Sequence, residues 1–161
     1  MTELALVLQV RDRRLKRARR EMSEAKAALA RANSSAAEAK KAIDDFREQV
    51  RTLEIDLLTS LLNTSVTMHE LAAVEETLRK TEKRARQLAK EAERQNQARQ
   101  HALRLAERTE SKMQAAQKRF LRCEEMVDSS RIDEQMLKVL REEADNEDLG
   151  QLVMKGGASD A

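Results

Sequence analysis

The stretch Leu61-Leu62-Asn63-Thr64-Ser65-Val66-Thr67-Met68-His69-Glu70-Leu71 decides the fold. Apolar periodicity runs up to it and resumes after it, so everything depends on whether the chain turns here. Thr67 followed three residues later by Glu70 has the spacing of a capping box, in which each residue satisfies a backbone N–H of the other. Val66 and Leu71 occupy the hydrophobic-staple positions on either side of that cap. Asn63 is expected to end the preceding helix, because Asn tolerates a left-handed backbone. These signals predict a turn at about 62–67. The competing reading is one unbroken helix, since the heptad count survives through Ser60, Thr64 and Thr67 and the stretch holds neither Gly nor Pro.

Upstream, apolar residues fall at alternating steps of three and four: Leu15, Ala18, Met22, Ala25, Leu29, Ala32, Ala36, Ala39, Ile43, Phe46, Val50, Leu53 and Leu57. Such a run is the signature of a coiled coil. Four consecutive d positions are alanine (Ala18, Ala25, Ala32 and Ala39), which lets a partner helix come close but buries little area per layer. Downstream the pattern continues through Leu71, Val74, Leu78, Ala85, Leu88 and Ala92. It weakens around Gln95 to Arg99 and returns with Ala98, Ala102, Leu105, Thr109, Met113, Ala116, Phe120, Cys123 and Val127. The two steps of four from Leu105 to Thr109 to Met113 predict a local unwinding. A last apolar set is Ile132, Met136, Leu137 and Leu140, followed by the acidic run Glu142, Glu143, Asp145, Glu147 and Asp148.

The expected fold is all-α, a long two-helix antiparallel coiled-coil hairpin over 1–148. Helix 1 is placed at about 3–62, helix 2 at about 67–146, and a flexible tail at 149–161. Folding at residue 64 or 65 sets Phe120 against Leu8 and Val10 and leaves helix 2 overhanging.

Composition agrees with this class. The 161 residues include no Pro, Trp or Tyr and only three Gly, which excludes folds rich in turns and strands. A coiled coil offers ridges and grooves but no layered pocket, so an enzyme is not expected. Lys and Arg (31) nearly balance Asp and Glu (29), too small a basic excess for a dedicated nucleic-acid binder. The apolar run Leu4 to Leu8 is far short of the roughly 20 residues that span a bilayer, and its charges follow rather than precede it. A cytoplasmic protein with Cys123 reduced is expected.

No residue set points to catalysis, a cofactor or a metal. His69 and His101 lack a second ligand at helical spacing. Cys123 lies on the apolar seam with no basic partner, which suits a packed thiol better than a nucleophile. Two features ask for a partner. Arg11, Arg13, Arg14, Lys16, Arg17, Arg19 and Arg20 are opposed only by Asp12; this is either a docking face for an acidic surface or a solvated helix face. Met136, Leu137 and Leu140 fall on the overhang, where an exposed apolar stripe marks a binding surface.

The order of features resembles the YscO/FliJ family, the central stalk proteins of type III secretion and flagellar export. The resemblance rests on the arginine-rich start (Arg11 to Arg20), the Ala-rich helix, and Glu54-Ile55-Asp56-Leu57-Leu58 running into Leu61-Leu62. It continues through Val66, Leu71 and Leu78-Arg79-Lys80 to the long second helix with its acidic end. Poverty in aromatics is the clearest departure. The resemblance implies a stalk that enters the hexameric export ATPase ring by the end opposite the turn, promotes its activity, and contacts the cytosolic domain of the export gate. It also implies a link to secretion chaperones. By position, Arg11, Arg13, Arg14, Arg17, Met136, Leu137 and Leu140 would be the ATPase contacts. Leu71, Val74, Glu75, Leu78 and Lys83 would face the gate. The isolated chain is expected to be a monomer, without nucleic acid and without membrane insertion. The rival expectation is a homodimeric scaffold, a parallel coiled coil with the polar 60–67 segment as a hinge. A membrane-surface amphipathic helix is disfavoured by the Ala-dominated apolar face.

Overall fold

The computed structural model describes residues 3–157. It consists of two helices, α1 (Glu3–Leu62, 60 residues) and α2 (Met68–Gly157, 90 residues). They pack against each other antiparallel as a helical hairpin, so the alternative of one unbroken helix through 62–67 is overturned.

The reversal has a local cause. Thr67 and Glu70 form the reciprocal cap: the Glu70 N–H donates to Thr67 Oγ1 (3.3 Å), and the Thr67 N–H donates to Glu70 Oε2 (2.8 Å). The Thr67 hydroxyl adds a third bond to the same carboxylate oxygen (3.0 Å), and the Leu71 N–H closes the first turn on the Thr67 carbonyl (3.1 Å). Two of the four N–H groups that a helix start leaves open are thus answered. Val66 is half-buried beneath the cap.

Asn63 does not end α1 as expected. No non-glycine residue among those described has a positive φ. Hydroxyls do the work instead: Ser60 Oγ donates to the Leu57 carbonyl (2.9 Å) and Thr64 Oγ1 to the Ser60 carbonyl (2.9 Å). A carbonyl of the last turn, which has no N–H partner in the helix, is satisfied by a side chain and needs no left-handed residue.

All thirteen heptad positions from Leu15 to Leu57 are buried or half-buried, as a seam requires. The polar positions that follow by count, Ser60, Thr64 and Thr67, are exposed, and Leu61 turns inward in their place.

The packing divides into two compact units. The first comprises residues 1–19 with 112–161, the second residues 20–111. In the first, Leu15, Ala18, Cys123 and Val127 are buried; Leu15 is only 3% exposed. In the second, Ala25, Ala106 and Thr109 are buried, and no described residue from Lys26 to Leu105 is fully buried. The alanine seam is the reason: a methyl group fills little of the space between helices, and open grooves remain beside it. One is lined by Ala36, Ala37 and Ile43 of α1 with Ala89, Ala92 and Asn96 of α2.

Three expectations along α2 are corrected. Ala106 is buried (6% exposed) while Leu105 is 44% exposed, so Ala102, Ala106, Thr109 and Met113 step by four, three and four and the predicted unwinding is absent. Both 105 and 106 are apolar, and the smaller residue takes the inner position because the seam there is narrow. Ala85 and Ala98 are exposed, whereas Gln95 and Asn96 are half-buried. The weak stretch is therefore polar residues on an unbroken seam. Finally, α2 continues through the acidic run to Gly157, past the expected end near 146 and into the stretch assigned to a flexible tail. Residues 158–161 of that tail, and Met1 and Thr2 at the start of the hairpin range, lie outside the described residues.

Candidate functional site: the partner-facing surfaces

Within the first unit, exposure follows a simple rule. Up to Val127, α2 alternates inward and outward positions at helical spacing. From Arg131 to Gly150, every residue whose side chain is described is exposed. No α1 segment covers this stretch. Its apolar side chains, Ile132, Met136, Leu137, Val139 and Leu140, are all more than half exposed, Met136 at 61%.

The arginine-rich start belongs to the same unit. Arg13, Arg14 and Arg17 are exposed, and Arg11 is half-buried beside the seam residue Leu15. Lys16 pairs with Asp12 one turn away at 2.7 Å, both side chains open to solvent, so the pair orders the surface more than it stabilises it. All seven residues assigned by position to an ATPase contact thus lie in one compact unit.

The same unit carries apolar exposure that the sequence reading did not assign to any site. Leu6, Val7 and Val10 of α1 point outward, at 51%, 45% and 46% exposure, and so do Leu121 and Met126 of α2. Val10, expected to face Phe120, is therefore not a seam residue. The signal was available: Leu4, Leu8, Leu15 follow one helical face and Leu6, Val10 another, so a five-residue apolar run must present both.

The residues placed at the gate-facing end lie in the second unit, early in α2. Val74 is half-buried; Leu71 and Leu78 are exposed apolar side chains. Glu75 is tied to Arg79 at 3.3 Å, and Lys83 is exposed. These residues follow the capped turn directly, so the Thr67–Glu70 box fixes where they begin. The two backbone and side-chain hydrogen bonds from Thr67 hold the Glu70 carboxyl below its ordinary pKa.

Among the described residues no group of three His, Cys, Asp or Glu side chains is arranged to hold a metal. His69 and His101 are exposed, and Cys123 is buried in the seam. Thr109, the one buried polar residue among those described, satisfies its hydroxyl within its own helix on the Leu105 and Ala106 carbonyls. No described helix is long and apolar enough to cross a membrane.

Comparison with protein-family models, with curated proteins and with solved structures finds no match to this chain.

Proposed function

We propose that the chain is a non-enzymatic stalk that binds the hexameric ATPase of a type III secretion system and links it to the export gate, promoting ATP turnover and export. One observation carries the reading furthest. The arginine-rich start and the uncovered apolar stretch of α2 belong to the same compact unit, and the turn belongs to the other. A stalk that inserts into a ring needs such an end: cations to engage an acidic rim, and apolar side chains to bury against it. The YscO/FliJ resemblance of the sequence supports the same assignment. Leu71, Val74, Glu75, Leu78 and Lys83 are then the gate-facing surface. Secretion chaperones are further partners in this reading, and the site of action is the cytoplasm.

The test is to add the protein to its cognate export ATPase and follow binding and ATP hydrolysis together. The stalk reading expects binding and faster turnover, both reduced by Arg13→Glu with Arg14→Glu and by Met136→Asp. Absence of binding with unchanged turnover would remove it.

A further inference from the structure

The uncovered end of α2 and the outward face of α1 in the first unit match each other, residue by residue. On α1, Leu6, Val10, Arg13 and Arg17 follow one another at steps of four, three and four. On α2, Met136, Leu140, Glu143 and Glu147 follow at the same steps. All eight side chains are exposed. One strip runs from apolar to basic and the other from apolar to acidic, in the same chain direction. Laid parallel, Met136 meets Leu6, Leu140 meets Val10, Glu143 meets Arg13 and Glu147 meets Arg17.

Within one hairpin this pairing cannot form, because α1 and α2 run antiparallel. A second copy can supply it. We infer that two copies associate about a two-fold axis through their first units, each laying its distal α2 parallel to the other's α1. The contact is isologous, so whatever one copy's α2 gives the other's α1 is returned. The axis falls near Ile132, where the two α2 helices cross antiparallel. Exposed Leu121 and Met126 then lie along the path of the partner's α2.

The charges specify the register. A slip by one heptad leaves Arg13 opposite Gly150 and brings Arg17 to Met154, so the acidic residues lose their cations. The association also covers Arg13, Arg17, Met136 and Leu140, four of the residues given above to the ATPase. The free protein is therefore held as a pair that hides its docking end, and ring binding competes with self-association. The pairing itself stands on this chain alone and does not need the ATPase reading.

Sedimentation equilibrium over a dilution series tests it, with helicity monitored for every variant. The wild type is expected to be a reversible dimer that weakens as salt is raised from low to high, because exposed ion pairs are screened. Glu143→Arg with Glu147→Arg should weaken the dimer at least about tenfold, since each reversal acts at two symmetric contacts. Arg13→Glu with Arg17→Glu should do the same. Mixing the two variants gives opposite charges at both contacts, one swapped and one as in the wild type, so the mixed dimer should form; combining all four substitutions in one chain restores both contacts and the homodimer. These residues are exposed, so the hairpin tolerates the changes. A monomer at every concentration would overturn the inference. A dimer indifferent to both charge reversals would overturn it too, because it would have to form through another surface. Either result would also remove the competition with ring binding, but ring binding itself is read separately and would still stand or fall on its own test.

Discussion

Between Ala102 and Val127, α2 buries or half-buries a residue at every third or fourth position; between Arg131 and Leu149 it leaves all the described side chains in solvent. Apolar residues larger than alanine are about equally frequent in the two stretches, and both are helical. The difference is the helix that faces them. In the first unit Leu15, Ala18 and their neighbours pack with 112–127, and α1 supplies nothing to the second stretch. Helical periodicity therefore reports that a face wants covering and does not say by what. A long isolated helix also draws little stability from propensity, since most helical stability in proteins comes from packing of an apolar face. The distal part of α2 is thus the part of the chain whose order depends most on a partner.

Substitutions can break or sharpen this contrast. The largest effect is expected at Leu15, the most buried side chain among those described. Leu15→Ala should cost about 2–5 kcal/mol, because the cavity it leaves is walled by the seam of the first unit. Thermal or urea unfolding followed by circular dichroism measures this.

Removing the cap comes next. Thr67→Ala should cost about 0.5–2 kcal/mol, the usual range for losing such a residue. The cap also brings a pH dependence whose sign is fixed. Hydrogen bonds from Thr67 lower the Glu70 pKa in the folded state, so Glu70 contributes stability above its unfolded pKa. That contribution is lost as the pH falls below the ordinary carboxylate value toward the lowered one. The difference in melting temperature between wild type and Glu70→Gln should accordingly shrink as the pH is lowered from neutral through the ordinary carboxylate range and below it, as Glu70 takes up its proton.

A smaller effect, of opposite sign, is expected at Gly150. It sits inside α2, and a Cβ built there would meet nothing within 4 Å. Gly150→Ala should favour the distal helix by about 0.5–1 kcal/mol, visible as added helical signal at moderate temperature. Least of all is expected from Leu137→Ala, measured on the dissociated chain. Leu137 is more than half exposed, and its loss should move stability within about 0.5 kcal/mol. A cost near that of Leu15→Ala would mean that α1 or another part of the chain covers the distal helix after all.

Much of the fold was legible in the residues themselves. The heptads of α1 point inward from Leu15 to Leu57, and the capping box at Thr67 and Glu70 marks the reversal. What escaped has physical reasons. At Leu105 and Ala106 either neighbour suits an apolar seam, and only the helix separation selects the smaller. At Asn63 the sequence suggests a left-handed residue, but Ser and Thr hydroxyls nearby answer the carbonyl that such a residue would have freed. The acidic run was followed by a stretch assigned to a flexible tail, yet α2 runs on through both to Gly157. For the candidate site, the arginines and the Met136 to Leu140 stretch were readable as charge and apolar exposure. Leu6 and Val10 were missed, although their helical face, distinct from that of Leu4, Leu8 and Leu15, was there to be read.

Amide hydrogen exchange along α2, at high dilution and again with the ATPase or at high protein concentration, tests the central contrast most directly. The account predicts slow exchange around Ala106 to Val127 under every condition. It predicts fast exchange beyond Arg131 in the dilute chain, slowed once a partner covers that stretch. Equal protection of both stretches in the dilute monomer would contradict it, because the distal helix would then be covered within a single chain.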